Sequence, residues 1–160
     1  MQAFRSFSSI KESAEQGNAK AQYKLGYIYH YGDYETPKDF ERSLFWFKKS
    51  AEQGFKHAQN NLGVSYLKGQ GVPKDFKEAF FWFKKSAEQG HALAQYNLGI
   101  MYYNVEGVHE DYEEALYWTE KSAKQGNKEA KKYLDVLRSD GKIIKPDYVR
   151  LFNWFKNFFK

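Results

Sequence analysis

Imidazole ligates metals and moves protons near neutral pH, so the four histidines, His30, His57, His91 and His109, are the first candidates for chemistry. None forms an H-x-x-x-H pair or a carboxylate-flanked set on one helix, and metal ligation is not expected. They read as groove or loop histidines. The chain has no Cys, which removes disulfides, thiolate zinc sites and thiol catalysis together. Ser50, Ser86 and Ser122 recur at a fixed interval, and a nucleophile has no reason to occur once per interval. They read as small residues at helix contacts. Gly69-Gln-Gly71 resembles part of a phosphate loop, but no strand precedes it and no Gly-Lys-Ser/Thr follows, so it reads as a helix–helix turn. No catalytic residue, metal or cofactor is expected. Function must come from binding.

The 160 residues suffice for one domain or a short array with a real core. With 14 Phe, 13 Tyr and 4 Trp the chain is far too aromatic to be disordered. No apolar run approaches the ~20 residues of a membrane span. The net charge of +5 is not a nucleic-acid signature. Residues 1–126 carry 16 basic and 16 acidic side chains, and residues 127–160 carry 9 and 4. Within the neutral part the sign alternates, whereas a nucleic-acid binder carries a continuous basic stripe. Nucleic acid is not an expected partner. No signal-peptide pattern opens the sequence, and the compact N-terminal cap points to the cytoplasm. A periplasmic or secreted setting follows instead if an upstream segment precedes Met1.

Positioning is dictated by a repeat. Ala-Glu-Gln-Gly ends at Gly17, Gly54 and Gly90, and Ala-Lys-Gln-Gly ends at Gly126. Trp46, Trp82, Trp118 and Trp154 are spaced by 36, as are Asp39, Asp75, Asp111 and Asp147. One extra residue falls in 32–37, which marks a surface loop. Each unit reads as two helices. Helix A buries Ala21, Leu25, Gly26 and Tyr29, then Ala58, Leu62, Gly63 and Tyr66, then Ala94, Leu98, Gly99 and Tyr102, at i, i+4, i+5 and i+8. Its glycine admits a close neighbour. Helix B starts at the Asp N-cap, with Glu78 and Glu114 three residues on as a capping box. It buries Ala79, Trp82, Phe83, Ser86 and Ala87, and a left-handed Gly ends it. Clusters such as Lys84-Lys85 and Glu113-Glu114 read as solvated faces. Seven or eight helices of about 11–15 residues and no sheet are expected.

The expected fold class is all-α, an α-solenoid of antiparallel helix pairs with repeats of about 36 residues. Residues 4–17 form an N-terminal half-repeat, 18–54, 55–90 and 91–126 three repeats, and 127–160 a degenerate fourth repeat or C-terminal cap. In 147–160, Tyr148, Leu151, Phe152, Trp154, Phe155, Phe158 and Phe159 exceed what one preceding helix pair covers. This segment is expected to pack on the last helix A, with Phe158 and Phe159 as a possible second interface for self-association or a partner.

The run Ala-x-x-x-Leu-Gly-x-x-Tyr, then Gly-x-Gly-Val-Pro-Lys-Asp-x-x-x-Ala-x-x-Trp-Phe-x-Lys-Ser-Ala-Glu-Gln-Gly, at 58–90, resembles the Sel-one-like repeat, a branch of the tetratricopeptide-like superfamily. The likeness spans about residues 6–157 and is strongest over 18–126. It implies a right-handed solenoid that acts as a non-catalytic scaffold, adaptor or inhibitor of protein or peptide partners. An immunity-type inhibitor of a bacterial effector is one form. A lactam- or peptidoglycan-directed hydrolase is the alternative from another class. The cysteine-rich subfamily associated with that activity carries a disulfide in each repeat, and this chain has no Cys. In tetratricopeptide-like stacks helix A lines the concave face. The resemblance therefore implies a protein-binding surface of Tyr23, Lys24, Tyr27 and His30; Asn60, Asn61, Val64 and Leu67; Tyr96, Asn97, Ile100 and Tyr103; and Lys132. Aromatic rings supply contact area there, and Asn can hydrogen-bond a peptide backbone.

Overall fold

The computed structural model describes residues 2–33, 36–104 and 111–139, with side chains from residue 7 onward. Among these residues there are eight α-helices and no strand. They are α1 (Gln2–Glu15), α2 (Ala19–Tyr31), α3 (Phe40–Glu52), α4 (Lys56–Lys68), α5 (Phe76–Glu88), α6 (Ala92–Asn104), α7 (Tyr112–Lys124) and α8 (Lys128–Ser139). Each helix packs on its neighbours in the chain. The even-numbered helices form an A layer, the odd-numbered ones a B layer, and the repeat stacks as helical hairpins. The expectation for 147–160, with Phe158 and Phe159, lies outside the described residues.

The helix starts follow the Asp signals. Asp39 Oδ1 accepts from Arg42 N at 2.9 Å, Asp75 Oδ1 from Glu78 N at 3.0 Å and Asp111 Oδ1 from Glu114 N at 3.0 Å. The reciprocal half of the capping box is not made, which corrects the sequence reading. The cap N–H groups of Asp39, Asp75 and Asp111 donate instead to the carbonyls of Tyr29, Tyr66 and Tyr102, at 2.8, 3.1 and 3.0 Å. With that donor occupied, the glutamate turns one helical turn onward. Glu78 Oε2 accepts from Trp82 Nε1 at 3.1 Å and Glu114 Oε2 from Trp118 Nε1 at 2.8 Å. A buried indole N–H needs such an acceptor.

The B helices end in one geometry throughout. Gly54 N donates to Ala51 O and Phe55 N to Ser50 O, a Schellman pair that recurs at Gly90–His91 and Gly126–Asn127. Gly54 takes φ 87°, a left-handed value that disfavours a side chain.

Hairpins close through the helix A glycine. A Cβ at Gly63 would stand 2.8 Å from the Phe83 ring, and one at Gly26 2.6 Å from the Phe47 ring. Phe47 and Phe83 are fully buried because those glycines make room for them. Around them Phe83, Ala79, Leu98, Met101 and Trp118 form one core cluster, and Phe47, Ala51, Leu62 and Trp82 a second. Each cluster draws on two adjacent repeats, so no hairpin holds a complete core alone.

Candidate functional site

On the side facing the B layer, α2, α4 and α6 are tied to the B helices by a polar seam that repeats in all three, while α8 has Lys131 at that register. Gln53 Nε2 donates to Gln22 Oε1 at 2.7 Å, and Gln22 Nε2 donates on to Ala14 O at 3.1 Å. The same relay runs from Gln89 through Gln59 to Ala51 O, and from Gln125 through Gln95 to Ala87 O. Beside it, Ser50, Ser86 and Ser122 donate to Ala19 O, Lys56 O and Ala92 O at 2.6–2.7 Å. These serines are small residues at helix contacts, and each hydroxyl also satisfies a carbonyl at the start of an A helix. The seam accounts for Gln53, Gln89 and Gln125, the glutamines of the motif at the ends of α3, α5 and α7. Its donors and acceptors are spent within the fold.

Next to the seam, beginning one residue on and about 100° round the A helices, the rim carries the residues named from the sequence. Tyr23 is half-buried against Phe55 and His57, with ring centroids 5.2 and 5.9 Å away, and beside Tyr27 at 6.3 Å. Burial, then the nearby Tyr27 and Tyr31, raise the Tyr23 pKa above its ordinary value. Tyr27 is 46% exposed and packs on Tyr31 at 4.5 Å. Lys24 and Lys132 are exposed, and Lys132 pairs with Glu129 at 3.4 Å. His30 is half-buried between Tyr31 and Phe40, and burial, then Lys38 and Lys68, lower its pKa.

In the middle of the rim the amides meet one another. Asn97 Nδ2 donates to Asn60 Oδ1 at 3.2 Å, and Asn60 Nδ2 to Asn61 Oδ1 at 3.3 Å. Asn60 is 5% exposed, so within this set it holds repeats together rather than presenting an amide to solvent. Asn61 and Asn97 are half-buried. Val64 and Leu67 pack against the core cluster of Met101, and Ile100 is half-buried. Tyr96 and Tyr103 stand edge-on to Tyr133, at 5.8 and 6.0 Å.

Sequence reasoning missed one feature of the rim. His91 Nε2 and His57 Nδ1 are 3.0 Å apart, and His91 Nδ1 accepts from Ala94 N at 3.3 Å, capping α6. That acceptor role places the His91 proton on Nε2, aimed at His57. Burial, then His57 and Lys56, hold the His91 pKa down at about 4, and burial, then Lys56, lower that of His57. The pair was hidden because the two histidines are 34 residues apart, two short of the period. His91 holds the helix A N-cap register of Asn18, Phe55 and Asn127, while His57 lies inside α4. Among the described residues no group of three or more His, Asp or Glu side chains is placed to hold a metal ion. None of the described helices is long and apolar enough to cross a membrane.

On the outer face of the B layer, Phe45, Phe81 and Tyr117 are exposed, each edge-on to the following Trp. Lys49, Lys85 and Lys121 lie 5.1, 4.5 and 4.7 Å over their rings. Lys85, expected as a merely solvated charge, is a cover for aromatic surface.

Known proteins carry the same hairpins. The Sel1 repeat model matches three consecutive segments, 19–55, 56–91 and 92–127. The chain belongs to the Sel1 repeat family. Such repeats are in general non-catalytic protein–protein interaction modules. The Sel1 hairpins superpose with TM-score 0.82 and 39% identity on a protective antigen present in uropathogenic Escherichia coli strains, described as having an SLR fold. That match covers 94% of this chain and 32% of the antigen, so the chain spans about a third of that protein's length. A Sel1 repeat protein from Oxalobacter formigenes matches with TM-score 0.74 and 37% identity, over 82% of this chain and 98% of that one. Cysteine-rich protein B of Helicobacter pylori shares the fold, at 20% identity and TM-score 0.61, over 83% of this chain and 92% of that one. No curated protein matches the sequence.

Proposed function

We propose that the chain is a non-catalytic scaffold, adaptor or inhibitor that binds a protein or peptide along the rim of its A layer. One observation carries this reading. The rim is where the repeats stop being alike: Tyr23, Asn60 and Tyr96 occupy a single register position in α2, α4 and α6, whereas the seam row one residue before it is Gln22, Gln59 and Gln95 in the same three helices. A surface that varies between repeats and is furnished with rings, amides and two exposed lysines suits recognition of an irregular partner. Exposed Tyr27 with half-buried Tyr23 and Ile100 would supply apolar contact, and Asn61 and Asn97 would order a backbone through their amides.

Affinity capture with the wild-type chain, beside a variant carrying Tyr27→Ala, Asn61→Ala and Asn97→Ala, tests the proposal. A protein retained by the wild type and lost from the rim variant, while both melt within a few degrees, supports it. Equal retention by both would place recognition elsewhere.

A further inference from the structure

His57 stands at the start of α4 with a described A helix on either side, α2 carrying Tyr23 and α6 carrying His91. Polar groups are joined in series there. The backbone N–H of Ala94, in the first turn of α6, donates to His91 Nδ1 at 3.3 Å. The His91 proton therefore sits on Nε2 and is given to His57 Nδ1, 3.0 Å away, between rings that meet at 88°. With Nδ1 occupied as an acceptor, His57 carries its own proton on Nε2. That N–H ends the chain: the side chain is exposed and makes no further hydrogen bond among the described residues.

Every link points the same way, outward from the positive end of α6. Hydrogen bonds in series polarise one another and the α6 dipole adds to the effect, so the His57 Nε2–H is a stronger donor than that of a lone imidazole. The relay also fixes the tautomer, which an isolated histidine leaves open. A metal ion does not fit the pair, because ligation through His91 Nε2 would move its proton to Nδ1, against the Ala94 N–H. Tyr23 and Phe55 lie 5.9 and 5.3 Å from the His57 ring and 5.2 Å from each other, and form an apolar wall beside it. Lys56 supplies charge. Its Nζ reaches the Gln89 carbonyl at 3.5 Å, and no acidic side chain pairs with it among the described residues. It adds to burial in lowering the His57 pKa, and to burial and His57 in lowering that of His91. The counterparts of His57 in α2, α6 and α8 are Lys20, Leu93 and Glu129, so the repeat itself does not call for an imidazole at this position.

We infer that His57, oriented by His91, receives an Asp or Glu side chain of the protein that binds the rim, with one carboxylate oxygen on Nε2–H and the charge facing Lys56. The inference rests on the rim reading and gives the partner's chemistry at one point of it. A neutral carbonyl would use the donor and leave the Lys56 charge unused, whereas a carboxylate matches both. An apolar residue next to the acid would cover Tyr23 and Phe55.

The probe is a library of random dodecapeptides displayed on phage and selected on the full chain at neutral pH. Peptides that Tyr27→Ala or Ile100→Ala weakens are rim binders, and these should share an acidic residue beside an apolar one. One such peptide is then made with a fluorescein label and an amidated C-terminus, so that only a side chain offers a carboxylate. In anisotropy His57→Phe should weaken it by about tenfold or more, and Lys56→Met by about threefold. Replacing the peptide's acid by its amide should cost as much in the wild type and nothing further in His57→Phe, a coupling that a purely structural role would not produce. His91→Asn keeps a cap of the kind seen at Asn18 and breaks the link to His57. It should weaken the same peptide with melting unchanged within a few degrees, and imidazole nitrogen NMR should show His57 losing its single tautomer. Rim binders without a shared acid, or an acidic peptide that binds His57→Phe as tightly as the wild type, overturn the inference and leave the rim reading standing. A selection that yields no peptide sensitive to Tyr27→Ala or Ile100→Ala overturns both.

Discussion

Gln22, Gln59 and Gln95 face the B layer in one hydrogen-bonded pattern, while one residue later on the same helices stand Tyr23, Asn60 and Tyr96. The period of 36 runs through both rows, yet only the first is uniform. The seam is uniform because each repeat must satisfy the same carbonyls at the same junction, and a buried acceptor left unmatched costs ~1–3 kcal/mol. Much of the rim carries no such obligation, so its chemistry changes from aromatic at α2 to amide at α4 and back to aromatic at α6. Repetition within one chain thus marks scaffold, and departure from it is what the proposed recognition surface rests on.

The comparison can be attacked from the seam side first. Phe83→Ala removes a fully buried ring held against Gly63 and should cost ~3–5 kcal/mol in urea unfolding. Gln59→Ala breaks the relay that accepts from Gln89 and donates to Ala51 O, with an expected loss of ~2–3 kcal/mol. Ser86→Ala, which removes only the bond to Lys56 O, should cost about 1 kcal/mol. On the rim, Tyr27→Ala should stay within ~1 kcal/mol, since the ring it removes is 46% exposed. A rim variant that unfolds as easily as Gln59→Ala would erase the distinction between the two rows.

The histidine pair sharpens the contrast through pH. His91 is held at about 4, below its ordinary 6.5, so the folded chain binds fewer protons than the unfolded one between those values. Stability should therefore fall as pH drops from 7 through 6.5 towards 4. His91→Asn keeps a capping side chain of the kind seen at Asn18 and removes the titration. Between pH 5 and 7 its melting temperature should vary less than that of the wild type. Parallel pH profiles would show that the His57–His91 contact does not report on folding.

Hairpins, caps and buried faces were legible because they recur. Asp39, Asp75 and Asp111 announced the B helices, and the Ala-Leu-Gly-Tyr spacing announced the buried side of helix A. What stayed hidden depends on which of two available partners wins. Glu78 satisfies a capping pattern on paper, but the carbonyl of Tyr66 already takes the Asp75 N–H, and the carboxylate goes to Trp82. Asn60 carries a recognition-type side chain, yet Asn97 and Asn61 bind it. His57 and His91 meet only because hairpin stacking brings the start of α6 against α4, a contact between repeats that no single period encodes.

The central claim, that the rim of the A layer meets the partner, is tested most directly by site-specific photocrosslinking in cells. p-Benzoylphenylalanine would replace Tyr27 or Ile100 on the rim, and Phe81 on the outer face of the B layer as the comparison. The account predicts discrete adducts to one protein from Tyr27 and Ile100 and none from Phe81. Adducts from Phe81 with a silent rim would contradict it.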